Sequence, residues 1–135
     1  MKHFKIYLIL CLISASCNAF GQKKFVGTFS NGFKGAKLSF TLSADGKQMQ
    51  NFIFDGYWKC GGAAEHIKAG PEKRFPVVNG KIQGVILEPE NGGSSAFRFN
   101  LDGIINGKQA HGTFRMSIVG LGCDTYKLNW VAETI

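Results

Sequence analysis

Residues 97–118 read FRFNLDGIINGKQAHGTFRMSI, and the order of residue types within them decides the fold class. Phe97, Phe99 and Leu101 alternate with Arg98, Asn100 and Asp102, while Gly112, Phe114, Met116 and Ile118 alternate with His111, Thr113, Arg115 and Ser117. A period of two sends successive side chains to opposite faces, so each run predicts a strand with one apolar face. Asn106-Gly107 lies between them, a dipeptide suited to a two-residue hairpin turn because both central positions of that turn need positive φ. A turn centred there sets Ile105 opposite Lys108. Asp102 then falls opposite His111, Phe99 opposite Phe114, Phe97 opposite Met116 and Arg98 opposite Arg115.

The same alternation recurs on both sides. Phe25-Val26-Gly27-Thr28-Phe29 and Leu38-Ser39-Phe40-Thr41-Leu42 predict two strands with a turn at Asn31-Gly32 and Gly35. Ser43-Ala44-Asp45-Gly46-Lys47 suits a three-residue hairpin loop with Gly46 left-handed, which sets Leu38 opposite Phe52 and Ala36 opposite Phe54. That third strand runs to about Trp58, directing Trp58 inward and Tyr57 outward. Lys81–Glu88 predicts another strand, and Thr125–Ala132 a last one with Tyr126, Leu128, Trp130 and Ala132 on its inner face. Between them the segment 61–75 loses periodicity and collects Gly61, Gly62, Gly70 and Pro71, which predicts a long loop. Seven strands joined by hairpins make an all-β chain, an antiparallel β-sandwich with a small closed β-barrel as the alternative.

The chain has 135 residues, enough for one domain. Lys2, His3 and Lys5 precede an apolar run from Ile6 to Ile13 and then the small residues Ser14, Ala15 and Ser16, which is the order of an export signal. Eight apolar residues fall short of the roughly 20 that span a bilayer as a helix, so no transmembrane anchor is expected. Ala19-Phe20-Gly21 suits cleavage before Gln22, leaving a signal peptide over 1–21 and one domain over 22–135. The alternative is a lipid anchor at Cys17, since Ser14-Ala15-Ser16-Cys17 resembles a lipoprotein signal. A secreted or periplasmic location follows from the first reading, and attachment to the cell envelope from the second.

Removing 1–21 takes Lys2 and Lys5 and leaves 14 basic against 9 acidic side chains, a net charge of +5. These charges are scattered and form no nucleic-acid patch. Cys11 and Cys17 depart while Cys60 and Cys123 remain, an even pair that in an oxidising compartment predicts a disulfide. No Cys-x-x-Cys is present, and two isolated thiols do not suit zinc.

Gly27-Thr28-Phe29, Cys60, Asn79-Gly80-Lys81-Ile82, Gly112-Thr113-Phe114, Cys123 and Trp130-Val131-Ala132 together resemble a loose group of small secreted bacterial β-domains. The resemblance spans most of the mature chain and implies an exported β-sandwich with one disulfide. It brings no catalytic residues. A weaker likeness to biotin-binding barrels rests on Gly27-Thr28-Phe29 and the Trp130 strand alone.

Catalysis needs converging titratable groups, and the mature chain offers two histidines, His66 and His111. Asp102 opposite His111 reads as an exposed cross-strand pair, there is no Gly-x-Ser-x-Gly elbow, and no catalytic residue is assigned. Glu65-His66 with His111 lacks metal-ligand spacing, so neither metal nor cofactor is expected. Tyr57, Glu65, His66 and Lys68, in and beside the segment 61–75, are the candidate binding residues. The expected function is therefore a non-catalytic binding module for an extracellular glycan or protein. The alternative is an inhibitor of an extracellular hydrolase, which would insert a rigid loop anchored at Cys60, and a small enzyme comes third.

Overall fold

The computed structural model describes residues 21–135, and the readings of the signal segment and of Cys17 lie outside them. Ten strands occur among the described residues: β1 (Lys23–Phe29), β2 (Lys37–Leu42), β3 (Gln48–Cys60), β4 (Ala63–Ala69), β5 (Phe75–Val78), β6 (Lys81–Glu88), β7 (Phe97–Asn106), β8 (Gln109–Ile118), β9 (Cys123–Asp124) and β10 (Leu128–Thr134). All pairings are antiparallel, which gives the expected all-β class. They also return to their start. From β1 the order passes through β2, β3, β5, β6, β7 and β8, and β10 then joins β8 back to β1. The circuit is barrel-like, and β9 crosses it by pairing with β8 on one side and β3 on the other.

Inward faces follow the alternation read from the sequence. Phe25, Phe40, Phe54, Phe99, Phe114 and Trp130 are almost wholly buried. Their rings pack on one another, Phe25 on Phe40 at 4.8 Å between centroids and Phe54 on Phe114 at 5.4 Å. At about 1.5–3 kcal/mol for each large apolar side chain buried, this aromatic filling is the main favourable contribution to the fold. Trp58 and Trp130 lie in it with indole nitrogens that have no protein acceptor.

The β7–β8 register differs by two residues from that expected. Asn106 pairs with Gln109, so the turn is Gly107-Lys108; Leu101 faces Phe114, Phe99 faces Met116, Arg98 faces Ser117 and Asp102 faces Thr113. A shift of two keeps every side chain on its expected face but moves His111 from Asp102 to Ile104. The cause lies in β10. Trp130 faces Gly112, Gly112 faces Gly103, and the three stand in one cross-strand row. A Cβ on Gly103 would come within 2.7 Å of the Trp130 ring, so the indole takes the space that a side chain at position 103 would need. The expected register would have placed Leu101 opposite Gly112, in the path of that ring.

The β2–β3 hairpin is one residue wider than expected. Asp45 accepts from the Ser43 hydroxyl and the Lys47 N–H, and Ser43 pairs with Gln48 rather than Lys47. A bulge at Asn51, φ +55°, compensates, so that Leu38 faces Phe54 instead of Phe52. Gly46 is left-handed as expected.

Two further expectations are corrected. The segment 61–75 is not a long loop: Gly61-Gly62, both at positive φ, make a tight two-residue turn, and β4 runs back along β3 from Ala63 opposite Cys60 to Ala69 opposite Phe54. Its faces carry few apolar residues because it leans on β3 alone, which hid it from a search for alternating hydrophobicity. Tyr126 does not enter the core. The last strand starts at Leu128, and Tyr126 precedes it with φ +55° and its ring exposed.

Candidate functional site

Strand β3 is long enough to project beyond the start of β2. Its last two residues pair with β9 instead, Lys59 with Asp124 and Cys60 with Cys123, and the two cysteines are joined by a disulfide as expected. The β1–β2 loop covers the gap left beside β2. There Asn31 acts as a surrogate strand residue, its Oδ1 accepting the Asn129 N–H at 2.7 Å and its Nδ2 donating to the Lys127 carbonyl at 2.9 Å.

Between this loop, the end of β3 and the β9–β10 connection lies an open cleft of about 390 Å³. Phe33, Tyr57 and Tyr126 line it, and all three rings are substantially exposed. Phe33 supports Tyr57 with centroids 6.0 Å apart. Tyr126 is fixed from below: Thr125 is buried, its hydroxyl accepts the Met116 N–H and donates to the Tyr126 carbonyl, and the Tyr126 N–H donates to Asp124. A positive φ at a bulky aromatic is a rare conformation costing on the order of 1–3 kcal/mol, and such strain clusters at functional sites.

Arg115 neutralises Asp124, the one acidic side chain that lines the cleft among the described residues. Its Nε and Nη2 donate to both Asp124 oxygens, at 3.0 and 2.5 Å, and its guanidinium stands 6.0 Å from the centre of the Tyr126 ring. Burial pushes the Asp124 carboxyl up, but the Arg115 hydrogen bond, the Tyr126 N–H and the Arg115 charge outweigh it and hold the group below its ordinary range. The same contact raises the arginine above its ordinary value. Lys59 and Lys127 also line the cleft, and neither takes part in a side-chain ion pair or hydrogen bond with the described residues.

The candidate binding residues separate. Tyr57 faces His66 directly across β3 and β4, with ring centroids 5.3 Å apart in an edge arrangement. Lys68 lies farther along the same face, opposite Asp55, and Asp55 Oδ1 is 2.7 Å from His66 Nε2. Glu65 pairs with Trp58, so it stands on the other face of the hairpin, away from Tyr57 and His66. Of the four, Tyr57 alone lines the cleft. Sequence reasoning did not single out Phe33, Lys59, Tyr126 or Lys127. The signal for Phe33 was its place in a polar, glycine-rich turn, whereas Tyr126 fell within the apparent alternation of the last strand and was taken into the core.

Among the described residues no three His, Cys, Asp or Glu side chains gather as metal ligands, and no helix is long and apolar enough to cross a membrane. Compared with protein-family models, curated proteins and solved structures, the chain matches none.

Proposed function

We propose that the domain is an exported, non-catalytic binding module whose cleft beside Tyr57 holds an extracellular glycan. The observation that carries this reading is the convergence of three exposed rings, Phe33, Tyr57 and Tyr126, on one open cleft, with Tyr126 held there in a strained backbone conformation. A pyranose presents apolar C–H faces bordered by hydroxyls. Open aromatic shelves with polar groups around them suit such a ring, and a shelf that is preformed loses little freedom on binding. The disulfide supports the exported location, since such bonds persist in oxidising compartments. Calorimetry against a panel of oligosaccharides tests the proposal. Binding should be lost in Tyr57→Ala and in Tyr126→Ala while both remain folded; unchanged affinity in both variants would refute the cleft as the site.

A second reading, inhibition of an extracellular hydrolase, is favoured by a different feature. Val119–Leu121 forms a single 3-10 turn after β8 that leaves Val119 79% and Leu121 62% exposed. The turn is held by Gly120 N–H to the Ser94 carbonyl, by Gly122 N–H to Val119, and by Gly61 N–H to the Gly122 carbonyl beside the disulfide. A rigid apolar knuckle of this kind suits insertion into a partner's pocket. Capture of a hydrolase from culture fluid that is abolished by Val119→Ser with Leu121→Ser would favour inhibition over glycan binding.

A further inference from the structure

We infer that the cleft selects acidic saccharides, those carrying carboxylate or sulfate groups, through Lys59 and Lys127; the inference rests on the glycan reading above. The polar side chains around the aromatic shelf divide into those already committed and those free. Asn31 spends its carbonyl oxygen on the Asn129 N–H and one amide hydrogen on the Lys127 carbonyl. Asp124 gives both oxygens to Arg115 and one of them also to the Tyr126 N–H. The amide and carboxylate best suited to paired hydroxyls of a neutral sugar are thereby withdrawn from ligand binding. Beside the phenol hydroxyls of Tyr57 and Tyr126, the charged groups that remain are Lys59 and Lys127, and an ammonium group donates hydrogen bonds but accepts none.

Charge points the same way. With Asp124 neutralised by Arg115, the two lysines give the cleft an uncompensated positive potential beside the exposed rings of Tyr57 and Tyr126. The matching ligand presents acceptor-only groups at the edge of a stackable ring, which describes a uronate or a sulfated hexose. A charge-assisted contact of this type is stronger than a neutral one and weakens as salt is raised.

The experiment compares two pairs of probes by calorimetry on the disulfide-bonded protein: oligogalacturonate with its methyl ester, and κ-carrageenan with agarose oligosaccharides. At least one acidic member should bind about tenfold or more tightly than its neutral counterpart. Lys59→Gln with Lys127→Gln should bring the acidic member down to the level of its neutral counterpart. Lys81→Gln with Lys108→Gln, two lysines outside the cleft that remove the same net charge, should change neither. Equal or tighter binding of the neutral members would overturn the inference while leaving the glycan reading in place. An equal loss with both lysine pairs would overturn it in favour of diffuse attraction. Failure of all four probes to bind would overturn the inference and the glycan reading together.

Discussion

Gly103 and Gly112 face each other across β7 and β8, and the indole of Trp130 on β10 lies against Gly103. A side chain at either position meets a different obstacle. Its Cβ would lie 2.7 Å from the Trp130 ring at position 103, but 1.9 Å from the Asp102 carbonyl oxygen at position 112. A ring can tilt, whereas a paired backbone cannot yield without breaking the ladder. Both Gly103→Ala and Gly112→Ala should destabilise the domain by roughly 1–3 kcal/mol, the second more than the first. Urea denaturation followed by tryptophan fluorescence measures the order, and a milder effect at Gly112 would contradict this account of the register.

Asp102 is opposite Thr113, and His111 opposite Ile104, so the two polar residues share the outer face without pairing. Phe114, opposite Leu101, is buried against Phe52 and Phe54. Phe114→Ala should cost about 3–5 kcal/mol. His111→Ala should cost about 0–0.5 kcal/mol, as is usual for an exposed position without a specific partner. A double-mutant cycle between Asp102 and His111 should give a coupling near zero, and a substantial coupling would restore the pairing that the structure removes.

Tyr126 holds a positive φ at the cleft. Glycine adopts that conformation freely and alanine does not, so Tyr126→Gly should be more stable than Tyr126→Ala by about 1 kcal/mol, although both lack the ring. Neither should bind saccharide. Paired thermal melts and calorimetry separate the two effects, and equal stability of the variants would show that the backbone there is not strained.

The Asp124 carboxylate has its folded pKa depressed by Arg115 and the Tyr126 N–H against the opposing effect of burial. Its ionised form therefore favours the folded state. That contribution is complete above the ordinary aspartate value of about 3.9 and is lost as pH falls through the lower folded value. Asp124→Asn should accordingly be less stable than the wild type by a constant margin at neutral and mildly acidic pH, with the margin narrowing below about pH 4. Urea midpoints measured from pH 7 to pH 2 test the sign, and a margin that grows in acid would reverse it.

The disulfide between Cys60 and Cys123 links residues 63 apart in sequence. Chain-entropy reasoning assigns such a loop about 4 kcal/mol of stabilisation. Replacing both cysteines by alanine should lower stability by an amount of that order and should weaken saccharide binding, because Lys59 and Asp124 are the pair next to the bridge. Mass spectrometry of protein recovered from an oxidising compartment, with and without reduction, should show a difference of two hydrogens. Two free thiols in unreduced protein from that compartment would refute the bridge.

What alternation can encode, the sequence announced: Trp58 in and Tyr57 out, Phe99 and Phe114 inward, His111 and Arg115 outward. Register is a different quantity, because it depends on which residues meet across strands. The Asn106-Gly107 signal was overruled by a tryptophan on a third strand whose ring needs a glycine, Gly103, against it. Strand β4 escaped notice because it pairs with one neighbour only and so has little apolar surface to alternate, although Gly61-Gly62 carried the turn chemistry. The cleft was half legible. Tyr57 was visible as an outward aromatic, but Phe33 and Tyr126 come to it from segments about 25 and 70 residues away, through the hydrogen bonds of Asn31 and Asp124. Tyr126 also kept the even spacing of a core residue, and only its backbone angle removes it from that set.

Strand β4 lies off the closed circuit of pairings, bonded to β3 on one side alone, so its other edge is open to a further strand. Glu65 projects from one face of that edge and His66 and Lys68 from the other. Charged groups on both faces of an exposed edge discourage a second copy from extending the sheet. Placed on such an edge, Glu65, His66 and Lys68 would disfavour edge-to-edge self-assembly. Exchanging all three for alanine would leave Ala63–Ala69 as a run of six alanines and one isoleucine, a bare template along which molecules could join edge to edge.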